Sequence, residues 1–273
     1  MGKDVFIFPK PHEFQHSDIL EEPKLEPFFY YIFEQLPRVG PGNYESTKRA
    51  FDIVRQTKPL PEVPAILDIG CGTGLHTVHL AELSGGRITA LDRHRPFLDR
   101  LERHARKRGV SDRIECVIGD MGAMAFGKRS FDLIWAEGSM FIIGVETALK
   151  LWKTFLKPGA MIAFTDLFWF KPGMPDELKV FFEQVSPGMM NREEAMRVIE
   201  ACGYRLVGDF QIPESAWWDD FYSPMERVLT DSRVTHSDKP DALAMIDYFQ
   251  TEIDMFRKYS NYYGYIFFIL ENK

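Results

Sequence analysis

The chain has 273 residues, of which 45% are hydrophobic and 27% charged, and its 33 basic and 40 acidic side chains give a net charge of −7. This composition is typical of a globular chain long enough to bury a core without disulfides or a structural metal, which excludes disorder, collagen and coiled coil for the chain as a whole. The acidic balance argues against general nucleic-acid coating, and the apolar runs are too short to cross a bilayer.

The first 60 residues are rich in proline and aromatic side chains and are predicted to form a helical extension. Apolar residues at helical spacing predict one helix over Leu25–Leu36 and a second over Ser46–Gln56. Prolines divide the rest of this segment into short pieces, because proline cannot continue a helix or a central strand.

From residue 65 onward, short apolar runs alternate with helical segments. The runs predict five strands, at Ala65–Ile69, Arg87–Leu91, Arg113–Ile118, Phe131–Trp135 and Met161–Thr165. The segments between them predict helices over Thr73–Leu83, Pro96–Arg108 and Val145–Leu156. Strands that alternate with helices predict right-handed crossovers and a mostly parallel sheet with helices on both faces.

The pattern loosens after residue 166. The remaining chain predicts two helices and two strands, over Glu193–Ala201, Tyr204–Ile212, Ala242–Tyr259 and Tyr263–Leu270. Residues 166–189, with prolines and glycines near Lys171–Pro175, are assigned no element, and residues 213–245 are predicted to be irregular and aromatic. The complete prediction is a doubly wound α/β fold with seven strands.

The most informative stretch is Asp68-Ile69-Gly70-Cys71-Gly72-Thr73-Gly74, which follows a strand and opens a helix. Glycines there let the backbone approach a ligand, in the crevice where open α/β sheets bind their ligands. A dinucleotide site of the GxGxxG type is excluded because Leu75 occupies the position of the third glycine, and a phosphate-binding P-loop pattern is absent. The alternative is a tight strand–helix turn without a ligand.

The spacing of Asp68 and the three glycines resembles the first motif of the class I S-adenosylmethionine (SAM)-dependent methyltransferases, [D/E]xGxGxG. The resemblance implies that Asp92, at the end of the second strand, binds the ribose, and that Asp120, after the third, faces the adenine. It also implies an antiparallel last strand. The cofactor-binding residues expected from it are Asp68, Gly70, Cys71, Gly72, Gly74, Asp92, Arg93, Asp120, Met121 and Glu137. The expected cofactor is SAM and the expected product S-adenosyl-L-homocysteine (SAH).

A narrower resemblance links the chain to a group of microbial SAM-dependent methyltransferases without an assigned substrate. It rests on five short motifs: Gly40-Pro41-Gly42, Trp135-x-Glu137-Gly138, Ile143-Gly144, Pro213-Glu214-x-x-Trp217 and Tyr262-Tyr263-Gly264. This resemblance supports the fold and the cofactor and implies nothing about the methyl acceptor.

No fixed catalytic group is predicted, since methyl transfer can depend mainly on positioning, whereas a hydroxyl or carbon acceptor also needs a general base. The candidates are Glu137, Tyr44 and His76, for which the alternatives are a solvated strand-end acid, a packing residue and a helix-surface histidine. Cys71 is interpreted as a small packing residue. With three cysteines and no CxxC pair, we predict no metal site and a reducing, cytoplasmic location.

Aromatic side chains concentrate outside the core motifs. We expect Trp169, Trp217, Trp218, Tyr222 and Tyr263 to bind the substrate, since long connections tend to form lids and rings favour a cationic or apolar acceptor. The alternative is that the same rings build the core of a lid or a dimer interface.

The sequence therefore predicts an N-terminal helical extension over residues 1–60 and a methyltransferase domain over 61–273, with a cap insertion over 213–262 before the last strand. The expected function is SAM-dependent methylation of a small molecule, without membrane or nucleic-acid partners, in a monomer or homodimer. Two alternatives stay open. One is a protein or RNA methyltransferase that uses the basic helix containing Arg103 and Arg106, and the other is a SAM-binding protein without turnover.

Overall fold

The computed structural model describes residues 26–273, so the first residue of the helix predicted at Leu25–Leu36 lies outside the described residues. Seven strands form one sheet. They are β1 (Ala65–Ile69), β2 (Arg87–Asp92), β3 (Ile114–Ile118), β4 (Phe131–Glu137), β5 (Leu156–Trp169), β6 (Tyr204–Gln211) and β7 (Tyr263–Asn272).

The helices in the described part of the chain flank this sheet. They are α1 (Glu26–Phe33), α2 (Tyr44–Thr57), α3 (Leu75–Ser84), α4 (Arg95–Arg108), α5 (Val145–Trp152), α6 (Asp176–Val185), α7 (Arg192–Ala201), α8 (Ser215–Trp217), α9 (Ser223–Thr235) and α10 (Pro240–Tyr259). A π-helical turn over Trp218–Tyr222 joins α8 to α9. None of these helices is both long enough and apolar enough to span a membrane.

The strand order is β3-β2-β1-β4-β5-β7-β6. Strands β1 to β5 pair in parallel, whereas β7 lies antiparallel between β5 and β6. This arrangement confirms the predicted seven-stranded, mostly parallel sheet with an antiparallel last strand. The strand order reverses between β1 and β4, which is where open sheets of this kind bind ligands.

Local sequence explains where several helices begin and end. Asn43 caps α2 by accepting a hydrogen bond from the Ser46 N–H at 2.9 Å. Asn191 and Glu194 form a reciprocal capping box at the start of α7. Gly109 ends α4 in the left-handed conformation, with φ of 70°.

Two hydrophobic cores lie on opposite faces of the sheet. One contains α5 and α7 and is centred on Trp152, Phe164 and Phe268. The other is larger and joins α1, α2 and the helices α6 and α8 to α10 to the sheet through rings such as Phe33 and Phe249. The aromatic surplus of the sequence is therefore concentrated on one face.

Two local predictions were wrong, and one segment contains elements that the sequence did not predict. In residues 166–189, β5 continues to Trp169 and α6 follows, with its buried face formed by Leu178, Phe181 and Phe182. Residues 213–245 are largely helical, because their bulky rings pack against α10 and β7. The π turn changes the spacing of these rings along the chain, so the sequence shows no regular helical period. The helix predicted to reach Leu156 ends at Trp152, and that leucine instead begins β5.

Candidate active site

The glycine loop between β1 and α3 has the backbone shape that only glycine adopts easily. Gly70, Gly72 and Gly74 have φ of 72°, 52° and 78°. A Cβ atom on Gly72 would lie 2.3 Å from Val39, and one on Gly70 would lie 2.4 Å from the Ser139 side chain. The loop is therefore packed closely between its neighbours at the carboxyl end of the sheet.

Asp92, the last residue of β2, holds this loop in place. Its Oδ2 accepts a hydrogen bond from the Gly72 N–H and its Oδ1 one from the His94 N–H, both at 2.9 Å. Burial raises the pKa of Asp92, and the two backbone N–H groups oppose that rise. Asp92 also lines a cavity of about 550 Å³ at the carboxyl ends of the parallel strands.

The cavity runs from these strand ends to a chamber lined by aromatic rings. Of the residues expected to bind cofactor, those that line it are Gly70, Asp92, Arg93, Asp120 and Met121. Of the residues expected to bind substrate, those that line it are Trp217, Tyr222 and Tyr263. The structure thus brings the two groups of predicted residues to one continuous space.

Helix α1 closes the cavity beside Asp92. Phe29, Tyr30 and Phe33 line the space, and the Tyr30 ring stacks on His94 with centroids 3.5 Å apart. His94 Nε2 in turn lies 2.7 Å from Glu34 Oε1, directly after the end of α1. The N-terminal extension therefore forms one wall of the site.

Asp68 lies behind the glycine loop, outside the cavity lining. Its side chain is fully buried, with Oδ1 3.2 Å from His76 Nε2 and Oδ2 accepting from the Thr77 hydroxyl at 2.6 Å. Cys71, Gly72 and Gly74 also lie behind the lining, and burial raises the pKa of Cys71 well above its ordinary value. These residues shape and support the loop, while Gly70 presents it to the cavity.

Glu137 stands at the end of β4 but does not line the cavity. Arg38 donates to its Oε2 at 2.6 Å, and the Thr47 hydroxyl and the Trp135 indole N–H donate to its Oε1 at 2.7 and 2.9 Å. Burial alone would raise the pKa of Glu137, but the charges of His76 and Arg38 and these hydrogen bonds lower it. The carboxylate joins the N-terminal extension to the sheet.

The other two catalytic candidates also lie outside the cavity lining. His76 is buried against Asp68; burial opposes its protonation, but the charges of Asp68 and Glu137 raise its pKa overall. Tyr44 is 39% exposed and packs edge-on against His79, with ring centroids 4.9 Å apart. Neither position offers a group to a ligand in the cavity.

Two of the expected substrate-binding tryptophans lie behind the wall. Trp169 packs edge-on against Phe182, with centroids 5.1 Å apart. The guanidinium of Arg257 covers the Trp218 ring at 4.9 Å. Each supports a ring or helix of the chamber without lining it.

The sequence interpretation missed two acidic residues that line the chamber, Asp166 near the end of β5 and Glu252 on α10. Within the described part of the chain, Asp166 accepts only the N–H of Leu167, at 2.7 Å, and burial raises its pKa to about 7. Oε1 of Glu252 accepts from the Tyr222 hydroxyl at 2.9 Å. Oε2 of Glu252 and the Tyr263 hydroxyl are buried without a partner among residues 26–273.

Tyr265 on β7 connects these two acids. Burial raises its pKa, and the charges of Asp166 and Glu252 raise it further, because both carboxyl groups lie near its ring. A Cβ atom on Gly138 would lie 3.1 Å from the Tyr265 hydroxyl, so the phenol reaches the end of β4. The chamber therefore meets the strand ends at this tyrosine.

Basic side chains are scarce around the cavity. Its lining includes Asp92, Asp120, Asp166 and Glu252, whereas the basic residue in it is Arg93. The Arg93 guanidinium lies 3.5 Å from Glu26 Oε1, at the end of the cavity near Asp92. The chamber around Asp166 and Glu252 is thus acidic and aromatic.

Comparison with known proteins matches residues 66–159, from β1 into the start of β5, to a family described as a methyltransferase domain. The sterol 24-C-methyltransferase ERG6A of Gibberella zeae is 37% identical over 71 residues, which are 26% of this chain and 19% of that protein. The matched part covers 19% to 27% of this protein and of two further fungal sterol 24-C-methyltransferases. The chain thus spans about a fifth to a quarter of these relatives.

Solved structures extend the likeness over most of the chain. A SAM-dependent methyltransferase from Geobacter sulfurreducens, in complex with SAH, has a TM-score of 0.72 and 18% identity over 90% of this chain and 98% of that one. One from Thiobacillus denitrificans, also in complex with SAH, has a TM-score of 0.74 and 19% identity over 92% and 99%. At this identity the likeness establishes the fold.

Proposed function

We propose that this chain, which carries a methyltransferase domain in the class I fold, transfers a methyl group from SAM to a small-molecule acceptor. The observation that carries the proposal is the single cavity that connects the glycine loop and the strand-end acids to the aromatic chamber. Such a space can hold a nucleoside cofactor at one end and an acceptor at the other.

The residues at the cofactor end fit SAM. Gly70 lets the backbone come close to a ligand, and a Cβ there would meet Ser139, so this approach depends on glycine. Asp92 uses one lone pair on each oxygen for backbone N–H groups, and each carboxylate oxygen can accept a further hydrogen bond from a ribose hydroxyl. Asp120 and Met121 would border the base, and Tyr30 would cover it.

SAM, when bound, supplies an electrophilic methyl group on a sulfonium centre. The chain's own contribution is to orient the acceptor and exclude water, through a chamber walled by α1, α6, α8, the π turn, α10 and β7. Tyr265 stands where the chamber meets the end of β4. Asp166, with its pKa raised to about 7, can accept a proton from the acceptor near neutral pH.

The proposal includes the domain organisation. Residues 26–60 and 213–262 both contribute to the roof, as rings of α1, α8 and the π turn and the Glu252 side chain of α10 line the same cavity. A cytoplasmic location is supported by three free cysteines, at positions 71, 116 and 202. A homodimer stays a prediction.

Isothermal titration calorimetry with SAM and SAH tests this function. We expect binding by the unmodified protein and its loss in Gly72→Val, which adds strain at φ 52° and a clash with Val39. We expect the same loss in Asp92→Ala, which frees the Gly72 N–H from its anchor. Gly85→Val is the matched control, since this glycine also has a positive φ, of 63°, but open space around its Cβ.

Two results would contradict the proposal. An unmodified protein that binds neither SAM nor SAH would overturn the cofactor assignment. A protein that binds SAM but produces no SAH with any acceptor in a broad metabolite library would favour the alternative of a SAM-binding protein without turnover.

A further inference from the structure

We propose that the methyl acceptor is an amine that binds in its protonated form, and that the carboxyl groups of Asp166 and Glu252 provide its counter-charge. The Asp166 carboxylate then accepts one proton from the ammonium group, which frees the nitrogen lone pair to form the new bond to the methyl carbon as the bond from that carbon to sulfur breaks and SAH leaves. This inference rests on the proposed function and adds the chemical class of the substrate. The two residues belong to different elements, β5 and α10, and both line the chamber beside Tyr265.

The first argument is charge. Neither Asp166 nor Glu252 forms an ion pair with any described lysine, arginine or histidine: the first accepts one backbone N–H and the second one tyrosine hydroxyl. Burying a carboxylate without a counter-ion is unfavourable, because the charge loses its hydration and gains nothing in return. A cationic ligand would supply the missing charge to both.

The contrast with Glu137 supports this interpretation. That carboxylate is buried as Asp166 is, with 8% and 5% of the two residues exposed, yet Arg38 and two further donors satisfy both of its oxygens. Glu137, which has a structural role, is therefore neutralised by a cation of the chain itself. Asp166 and Glu252 in the chamber have no such cation among the described residues.

The second argument is the pair of unsatisfied atoms. Oε2 of Glu252 and the hydroxyl of Tyr263 have no hydrogen-bond partner among residues 26–273, although the Tyr263 side chain is only 2% exposed. Buried polar groups are nearly always hydrogen-bonded, so such atoms indicate an absent partner. An ammonium group offers up to three N–H donors, which a carboxylate and a phenol oxygen can accept.

The third argument is the aromatic wall. Rings that surround the acids include Phe181, Phe182, Trp217, Tyr222, Tyr263 and Tyr265. The faces of such rings attract cations, most strongly where water is excluded. The same surroundings disfavour an anion, because the basic group in the cavity lining, Arg93, pairs with Glu26 near Asp92. A phosphorylated or carboxylate-only acceptor would lack a counter-charge here.

The test uses SAH-saturated protein and a panel of ligands matched in shape. Primary amines of graded size (ethylamine, phenethylamine and tryptamine) are titrated beside the alcohol and the carboxylic acid of corresponding skeleton, with binding measured by calorimetry. We expect at least one amine to bind about tenfold more tightly than both of its counterparts, as a charge-assisted hydrogen bond predicts.

Two near-isosteric variants locate the effect. Glu252→Gln and Asp166→Asn are each expected to weaken the preferred amine about tenfold and to leave the alcohol and SAH affinities unchanged. Asp231→Asn removes the same charge from an exposed position on α9 and serves as the control. Retained SAH affinity shows that a variant is folded.

The outcomes separate the two proposals. If SAH binds but no amine is preferred over its alcohol, the acceptor is not an amine and this inference fails, while the methyltransferase function stands. The inference also fails if the amine preference survives in both variants. If SAH itself does not bind, the proposed function fails together with the inference.

Discussion

Among the individual residues, Asp166 gives the clearest link between function and stability. Its pKa rises from 3.8 to about 7 on burial, so between these values the folded protein holds a proton that the unfolded chain has released. The free energy of unfolding therefore falls as the pH rises through this window. Asp166, which we propose binds the acceptor, thus destabilises the ligand-free protein at neutral and alkaline pH.

We predict that Asp166→Asn stabilises the ligand-free protein at pH 8, by up to about 4 kcal/mol for a shift of roughly three pKa units. At pH 5 the two proteins should differ much less, because Asp166 is already protonated in the fold. Urea unfolding at the two pH values measures this difference. Equal stability changes at both pH values would contradict the buried, uncompensated state of this acid, and Asp231→Asn again controls for net charge.

At Glu137 we predict the opposite effect on stability: removing its charge destabilises the protein. Glu137→Gln leaves Arg38 buried without its counter-charge, so we expect a loss of about 3 kcal/mol in the free energy of unfolding. SAH affinity of the folded variant should change little, because Glu137 does not line the cavity. Urea unfolding measures the stability and calorimetry the SAH affinity of the same samples. If Glu137 instead binds the cofactor directly, the variant would lose SAH affinity without a large loss of stability.

The sequence pointed to the acids and glycines at the strand ends because the signals for these residues lie close together along the chain. Asp92 and Asp120 each follow an apolar run, and the glycines lie within seven residues of Asp68. The partners of Glu137 are not local, since Thr47 and Arg38 stand 90 and 99 positions away. No pattern within β4 could therefore show that both of its oxygens are occupied.

Glu252 was predictable in principle. It lies four residues after Tyr248 and four before Phe256, both buried on the apolar face of α10. An acid in the middle of such a stripe indicates an acid that faces the protein interior. Asp166 carried a similar signal, since it directly follows the predicted strand Met161–Thr165, as Asp92 follows its own.

At the scale of elements, the basic helix α4 supports α1. Most of its charges are paired locally: Arg95 with Asp99 at 2.6 Å and Arg108 with Glu82 at 2.8 Å. Arg100 donates to the backbone carbonyls of Glu34 and Leu36, at 2.9 and 2.6 Å, just beyond the end of α1. These contacts hold the segment that leaves α1 against α4.

Arg100→Ala should therefore loosen α1. We expect the free energy of local opening over residues 26–36 to fall by about 1–3 kcal/mol and SAH affinity to fall several-fold, since Tyr30 on this helix lines the cavity. Hydrogen exchange measured by mass spectrometry follows the first effect. Arg103→Ala is the matched control on the exposed side of α4. Unchanged exchange in Arg100→Ala would refute this coupling.

The sequence predicted most elements to within a few residues, because apolar periodicity and glycine stops define the strands and the helices between them. The sequence did not predict the elements that are rich in aromatic side chains. Helix α6 is preceded by Lys171-Pro-Gly-Met-Pro175, a stretch that reads as a loop, and the π turn at Trp218–Tyr222 changes the helical period. Tertiary packing against α10 and β7 determines these elements.

For the whole molecule, the boundary between the extension and the catalytic domain does not divide the core. Phe33 from α1, Val54 from α2, Trp135 from β4 and Phe249 from α10 belong to one hydrophobic cluster. Side chains that share a core lose their packing together. The predicted segments therefore describe contributions to one folding unit.

We predict a single transition in differential scanning calorimetry, shifted upward by SAH. At a free SAH concentration of about 100 times Kd, the added stability is about 2.7 kcal/mol, which corresponds to roughly 5–10 °C for a chain of this size. Gly72→Val should show no shift. A separate transition for the extension or the α8 to α10 region would contradict a shared core.

The π turn has a consequence for chain length. Trp217 and Tyr222 are five positions apart, and in a regular α-helix they would point about 140° away from each other, yet both line the cavity. The wider turn between them brings both rings to one wall. Deleting a single residue here, such as Asp219, would leave the two rings four positions apart, and a regular α-helix would then hold them about 40° apart on the same wall. The π turn thus accommodates one extra residue without moving either ring from the wall of the chamber.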